Sequence, residues 1–410
     1  MQQPSSSRYV LVLLLAVNLL NYVDRQVLFA VFPLVKADLR LSDTALGLLG
    51  SAFMLCYMVS APLFGWLGDR TRRPRLAAAG LGLWSIATAA AGVARSYGAL
   101  LAARTVVGIG EASFGTVSPG LLADFFPQER RGRILAWFYL AIPVGSAIGY
   151  LAGGLIGQHL GWHAAFLMVG LPGLLLVLPL LRVREPASGE KAATPRGKGS
   201  AIGPAYRALF SNRAFILNTL AMAAMTFALG GLAQWLPSFL HRVHGLDVGR
   251  GNTLFGAITV LAGITGTLSG GWLGDRLQQK TPKGYLLVSG WGLLLGTPIA
   301  AYALQSRGLA GCLTAVFWAE FFLFLNTGPL NTVIVNVTRA EVRAMAFAVN
   351  IFLIHALGDA ISPTIIGWLS DRWGLRTALL VAPAAIVVAA LFCFLCCRVI
   401  EEDTIVATRD

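Results

Sequence analysis

Residues 65–70 read Gly65-Trp66-Leu67-Gly68-Asp69-Arg70, and the same six residues recur as Gly271-Trp272-Leu273-Gly274-Asp275-Arg276, 206 positions later in a chain of 410. A repeat at half the chain length predicts two copies of one architecture joined in series. A third, weaker copy is Gly367-Trp368-Leu369-Ser370-Asp371-Arg372. Outward from each full copy the sequence is apolar. Eight stretches, 44–68, 76–94, 134–158, 160–181, 214–240, 251–274, 284–306 and 377–397, contain no Asp, Glu, Lys or Arg. Four more, 9–35, 98–123, 308–338 and 344–370, are equally apolar but carry internal charges. A helix crosses a bilayer with about 20 mainly apolar residues, because each backbone polar group must be satisfied within its own segment. The reading is an all-α membrane protein with twelve transmembrane helices in two pseudo-symmetric six-helix bundles.

Composition agrees. The chain is 56% hydrophobic and 12% charged, about half the charged fraction of a soluble domain. Its 32 Lys and Arg against 19 Asp and Glu give a net charge of +13. With the N-terminus inside, 22 of the basic residues fall in inside-facing segments, eight outside, and Arg25 and Arg104 within spans. That bias follows the positive-inside rule, placing both termini in the cytoplasm and giving the excess charge a topological origin with anionic membrane lipid as a secondary contact. It argues against nucleic-acid binding. The long polar stretch 183–210, rich in Gly, Pro, Ser and charge, reads as a cytoplasmic linker between a bundle over 1–182 and another over 211–400, with 401–410 as a cytoplasmic tail. The first span runs into Asn21-Tyr22-Val23-Asp24-Arg25 rather than a small-residue cleavage site, so it reads as a retained helix. Cys56, Cys312, Cys393, Cys396 and Cys397 all lie in spans and read as apolar filler, with no metal site expected.

The repeated loop reads as a conformational latch at the cytoplasmic gate. Gly65, Gly68 and Gly271 permit close helix approach and a tight turn. Asp69 and Asp275 cap a helix or pair with a basic residue, and Arg70, Arg73 and Arg276 hold the loop at the headgroups. On these residues, together with Arg104, Gly108 and Gly110 in the fourth helix, the chain resembles the major facilitator superfamily. A closer resemblance is to the spinster branch of lysolipid and sphingosine-phosphate transporters. It is carried by Asn21 to Arg25, Gly110-Glu111-Ala112, Pro119 to Asp124, and Ile142-Pro143-Val144-Gly145-Ser146-Ala147-Ile148-Gly149-Tyr150. That resemblance implies a lysophospholipid or sphingoid-phosphate substrate moved by alternating access.

Ionisable residues at bilayer depth mark functional sites by default. Asp24 and Arg25 are adjacent, so they point about 100° apart on a helix and serve different neighbours. Arg104 and Glu111 are seven apart and share a face. A buried carboxylate beside a mobile cation can exchange a proton as its partner moves, so Asp24 and Glu111 are candidates for proton coupling or gating. Arg25 and Arg104 are candidates for an anionic headgroup. The competing reading is a permanent ion network that holds the N-terminal bundle and never changes protonation. In the second half the polar candidates are Glu320, Asn326, His355 and Asp359. The last two are four apart, so they form either a pH-sensitive pair or an interhelical polar contact. Tyr22, Phe53, Tyr57, Trp137, Tyr139, Trp235 and Phe324 are candidates for an apolar cavity wall.

No phosphate-binding Gly-x-x-x-x-Gly-Lys motif occurs, so no cofactor is expected and an ion or substrate gradient, with protons as the coupling ion, supplies the energy. No nucleophile accompanies His355 and Asp359, which argues against an enzyme. The alternatives are a proton-coupled porter of small organic anions or drugs, and a non-transporting membrane sensor or scaffold. The expected setting is a monomer in a bacterial inner membrane.

Overall fold

In lipid a single apolar segment satisfies its own backbone groups by forming an α-helix, and every predicted span is helical. The computed structural model describes residues 6–68, 70–186, 207, 209–339 and 342–408. Most of the predicted linker, and Asp69, lie outside the described residues. In chain order the helices are α1 (Ser7–Ala30), α2 (Phe32–Leu39), α3 (Asp43–Gly68), α4 (Arg73–Ala91), α5 (Tyr97–Asp124), α6 (Gln128–Tyr139), α7 (Ala141–Leu160) and α8 (Trp162–Leu181). The second half contains α9 (Arg213–His244), α10 (Val248–Gln278), α11 (Gly284–Gln305), α12 (Leu309–Phe324), α13 (Thr327–Val337) and α14 (Arg343–Ile354). A π-helical turn at His355–Asp359 leads to α15 (Ser362–Trp373), α16 (Leu375–Ala378), α17 (Val381–Cys396) and α18 (Ile400–Thr408).

Among the described residues eleven helical stretches are long and apolar enough to span a membrane. The twelfth span of the fold is α4, whose 19 residues are rich in weakly apolar alanine and begin Arg73-Pro74-Arg75. The chain is an integral membrane protein.

Several spans are broken where the sequence supplies a breaker. Pro33 opens α2 just after α1 ends. Pro143 follows the α6–α7 junction, and Gly328 and Pro329 follow the α12–α13 junction. The π-helical turn contains Gly358 at φ −108°, ψ −108°, five residues before the proline in Ser362-Pro363.

The chain divides into two compact units, Met1–Ala192 with Gln234–Ala257, and Ala193–Ala233 with Ile258–Asp410. The hairpin 234–257, which lies in the second half of the sequence, therefore packs with the first unit. In that unit α5 packs on α3 and α4, α4 on α8, and α1 on α7. Small residues set these crossings. A Cβ on Gly110 would sit 2.9 Å from the Gly80 carbonyl, and one on Gly80 would sit 2.6 Å from the Gly110 carbonyl. A Cβ on Gly149 of α7 would come within 2.7 Å of the Val23 carbonyl on α1. Trp84, Phe114 and Phe138 fill the interior beyond, with ring centroids 5.7 and 6.3 Å apart. In the second unit α11 packs on α12 and α17.

The repeat appears in three dimensions with one departure from expectation. A tight turn was expected at both copies of the six-residue motif. The first copy ends α3, but the second is helical throughout, within α10. Pro74 follows Arg70 after four residues and forces an early break, whereas Pro282 follows Arg276 after six and lets the helix run on to Gln278. All three copies carry the same contact, an arginine over the tryptophan four residues earlier. Arg70 lies 4.3 Å from the Trp66 ring, Arg276 5.1 Å from Trp272 and Arg372 3.7 Å from Trp368. A second structural repeat is the pair of turns at Gly161 (φ 85°, ψ 158°) and Gly374 (φ 78°, ψ 154°), each entering a helix. Positive φ makes glycine the fitting residue at both.

Replacing Gly149 with leucine should overpack the α1–α7 crossing and cost about 1–3 kcal/mol, read as a lower unfolding temperature of the detergent-solubilised protein. Gly271→Ala meets open space at a helical position, and should leave that temperature unchanged or raised.

Candidate functional site

Four charged side chains meet inside the first unit, two from α1 and two from α5. As the spacing required, Asp24 and Arg25 face different partners. The Arg25 Nε donates to Glu111 Oε2 at 2.7 Å, and Arg104 Nη1 donates to Asp24 Oδ1 at 3.4 Å. The second Asp24 oxygen accepts from the Thr88 hydroxyl on α4. The two pairs neutralise each other's charge, and both tie α1 to α5. Asp24 is 2% exposed and Arg104 and Glu111 are fully enclosed. Arg25 alone of the four has appreciable exposed side-chain surface, 17%.

The hydrogen bonding of this cluster is incomplete. Arg104 Nε and Nη2 and Glu111 Oε1 are buried without a partner among the described residues. A buried donor or acceptor left unmade costs about 1–3 kcal/mol, so these groups favour any partner that reaches them. Aromatic faces supply part of the compensation. The Arg25 guanidinium carbon lies 5.1 Å from the Tyr22 ring centre, 5.2 Å from Phe53 and 5.0 Å from Tyr57, and Arg104 lies 5.0 Å from Phe53. Glycines make room for this arrangement. Side chains on Gly108 or Gly115 would collide with the Phe53 backbone or the Tyr57 hydroxyl, so α3 presents both rings directly against α5. Gly145 on α7 likewise admits Tyr22, where a Cβ would lie 2.7 Å from its Cβ.

Tyr22, Phe53 and Tyr57 are therefore brought together around Arg25. Of the remaining candidate wall residues, Tyr139 lies close enough to Tyr22 and Tyr57 to interact with them electrostatically, and Trp235 and Phe324 sit elsewhere. Trp137 and Tyr139 are exposed at 56% and 48%. Trp235 is enclosed against Phe32, ring centres 5.4 Å apart, and packs the hairpin end of the first unit. Phe324 belongs to the second unit and packs over Gly263.

In the second unit His355 Nδ1 and Asp359 Oδ1 are 2.8 Å apart across the π-helical turn. Glu320 is buried, with Oε1 accepting from the Thr259 hydroxyl at 3.2 Å and Oε2 without a partner among the described residues. Asn326 donates to the Phe322 carbonyl at 2.7 Å, satisfying backbone freed by the α12–α13 break. Of the latch residues, Gly68 packs close to Val117 on α5, while Gly65 makes ordinary contact with Thr116. Arg73 pairs with Asp124 at 2.6 Å, and its backbone N–H donates to Glu185 at 2.9 Å. Asp275 accepts from the Tyr285 hydroxyl at 2.7 Å.

Two features escaped the sequence reading. Thr88 was detectable only as one of a few polar residues in an alanine-rich span. Asp43, which opens α3, is 3% exposed and accepts from Lys36 and from Arg242 Nη1 at 2.9 and 2.8 Å. Arg242 is 199 residues away in sequence, so no local pattern announces it.

The sequence profile of the Major Facilitator Superfamily matches residues 14–363. Protein spinster of Drosophila melanogaster is 34% identical over 377 residues, covering 89% of this chain and 62% of that protein's length. Protein spinster homolog 1 of Homo sapiens is 35% identical over 390 residues, covering 90% of this chain and 74% of the human protein. A crystal structure of a bacterial homolog to the human lysosomal transporter spinster, inward-facing and unoccupied, superposes with a TM-score of 0.88 at 24% identity, covering 98% of this chain and 99% of that one. The D-xylose-proton symporter superposes with a TM-score of 0.75 at 16% identity, covering 95% and 98%. The likenesses to solved structures establish the fold alone. The chain belongs to the major facilitator superfamily and, within it, to the spinster proteins.

Asp24→Asn would leave Arg104 enclosed without a counter-charge, a loss of about 3–5 kcal/mol, seen as a large fall in unfolding temperature. Adding Arg104→Gln should recover most of that loss. Strictly additive losses in the double variant would show that the two side chains are not coupled.

Proposed function

We propose that this transporter carries an amphiphilic anionic or zwitterionic lipid, of the lysophospholipid or sphingoid-phosphate class, by proton-coupled alternating access. The observation that supports it most directly is Arg25. It is the partly exposed cation of the cluster, ringed by Tyr22, Phe53 and Tyr57 and held by Glu111. A guanidinium in an aromatic box can receive a phosphate, while the rings accept the first methylenes of an acyl chain. Arg104, enclosed against Asp24, serves in this reading as the counter-ion of Asp24 and supports the headgroup only indirectly.

The coupling follows from charge balance. When an anionic headgroup takes Arg25, Glu111 loses its only hydrogen-bonded cation and is left buried with two unsatisfied oxygens. Uptake of a proton by Glu111 removes that charge, so headgroup binding and protonation favour each other. Release to the opposite side reverses both. Asp24 keeps two partners, Thr88 and Arg104, and would protonate only if the helices that supply them part. The bodies that move are proposed to be the halves 1–182 and 211–400, with the Gly65–Arg73 and Gly271–Arg276 segments as the cytoplasmic latch. The proposed setting is a bacterial inner membrane, both termini cytoplasmic, with the protein acting as a monomer.

The same aromatic box favours one alternative, a porter of small aromatic anions stacked between the rings of Tyr22 and Tyr57. Proteoliposome uptake of a labelled lysophospholipid against a pH gradient separates the two. Wild type should accumulate the lipid, Arg25→Ala should lose uptake by at least tenfold, and Glu111→Gln should retain lipid exchange while losing its dependence on the gradient. Uptake by Glu111→Gln that still follows the gradient would overturn the coupling role. Displacement of bound lipid by aromatic carboxylates, with no lipid uptake, would favour the alternative.

A further inference from the structure

The positive residues outside the Arg25 cluster are not evenly spread. The charge bias leaves eight basic residues on the side opposite the linker, and three of them, Lys36, Arg40 and Arg242, line one cavity of about 510 Å³ together with His241, Pro33, Ala37 and Leu41. That volume lies within the ~300–1,000 Å³ typical of small-molecule sites. No carboxylate lines it. Asp43, itself buried, accepts from both Lys36 and Arg242. The lining residues therefore include three cations and no carboxylate, with Asp43 behind them paired to two of the three.

The donors are also underused. Arg242 Nη2 is buried without a partner among the described residues. Lys36 has three donors, one of them spent on Asp43. The Arg40 side chain forms no hydrogen bond or ion pair among the described residues, while its backbone N–H donates to the Lys36 carbonyl and caps α2 at φ 51°. A non-glycine residue in the left-handed region is uncommon. Here that conformation ends α2 after a single run of eight residues, with Arg40 one turn beyond Lys36 at the cavity rim. His241 is fixed by its Nδ1–H donating to the Leu246 carbonyl at 2.8 Å.

We propose that this cavity binds a phosphate group, as a monoester or diester, at a site separate from Arg25. Three cations approaching from α2, its C-terminal cap and the end of α9 match a tetrahedral dianion, whereas a planar carboxylate would be served by one guanidinium. Pro33, Ala37 and Leu41 give the esterified part an apolar rest. The phosphate could belong to a lipid headgroup or to a soluble ester, and the chemistry of capture is the same. Binding would also compete with Asp43 for Lys36 and Arg242, and so would act on the contact between Asp43 and the end of α9. The proposal does not depend on the carrier reading above.

The test is calorimetric titration of the purified full-length protein in detergent with inorganic phosphate, sn-glycerol 3-phosphate and a short-chain lysophosphatidic acid below its micellar concentration. Arg40→Asn is the diagnostic variant, because asparagine tolerates the left-handed backbone and the side chain is exposed, so folding is preserved. Saturable binding is expected that weakens with added salt, is displaced by sulfate but not chloride, falls by about tenfold in Arg40→Asn, and survives in Arg40→Lys. Comparable affinity for all three probes would identify a soluble phosphate ester. Binding of the lysolipid alone, still lost in Arg40→Asn, would identify a lipid headgroup. The proposal is overturned if no probe saturates, or if binding is unchanged in Arg40→Asn and lost in Arg25→Ala. The latter result would return the phosphate to the Arg25 site. Lack of lysolipid transport, with Arg40-dependent phosphate binding intact, would sink the carrier reading and leave this one standing.

Discussion

The arrangement of the first unit depends on one constraint, the cost of keeping Asp24, Arg25, Arg104 and Glu111 out of water. An isolated charge in a low-dielectric interior is expensive by several kcal/mol even after relaxation, so none of the four is tolerable without its partner. The solution is a crossed pair of ion pairs, Asp24 with Arg104 and Arg25 with Glu111, that joins α1 to α5. Everything close to it serves that geometry. Thr88 completes Asp24 from α4, and the glycines of α5 and α7 let α3 and α1 come near enough to lay aromatic faces against the guanidinium groups.

The compensation is incomplete, and the proposed binding role draws on that incompleteness. A fully satisfied network would stay fixed, because any movement would lose bonds. Here Glu111 has an unused oxygen, Arg104 has two unused donors, and Arg25 keeps part of its side chain exposed. The pair Arg25–Glu111 can therefore open toward a ligand at lower cost than Asp24–Arg104, which is enclosed on both sides. In the proposed cycle one pair holds the helices while the other exchanges. The second unit shows how far the two halves have diverged. It repeats the Trp-to-Arg stacking and the positive-φ glycine turn, which are demands of the membrane interface and of the helix connection. Among the described residues it does not repeat the four-charge cluster. Its buried carboxylate is Glu320, with one hydroxyl partner, and the His355–Asp359 pair on a π-helical turn is half-buried.

That turn shows how sequence and structure relate at one position. A spacing of four was enough to predict contact between His355 and Asp359, and contact is observed, but the local helix is π rather than α and Gly358 leaves helical geometry altogether. Similarly, the six-residue repeat announced the doubled architecture, while its second copy is helical where a turn was expected. The controlling feature was the position of the next proline, two residues later after the second copy than after the first. Local rules of this kind are legible once the competing signal is weighed.

Span number, the doubled plan and the identity of the four charges in the α1–α5 cluster all follow from the sequence, because they depend on hydropathy, spacing and backbone chemistry within about thirty residues. The divergence of Asp24 and Arg25 follows too, from the helical rotation between neighbours. Which charge takes which partner does not. Arg104 and Glu111 share a face of α5, and either could have met either residue of α1. The choice rests on the crossing of α1 and α5, which is set by glycines on α7, α4 and α5 and by the bulk of Phe53. The packing of residues 234–257 with the first unit, and the meeting of Asp43 with Arg242 across 199 positions, are likewise decisions of the tertiary structure. Such contacts are fixed by the complementarity of surfaces far apart in the chain, and a single sequence carries no local periodicity that records them.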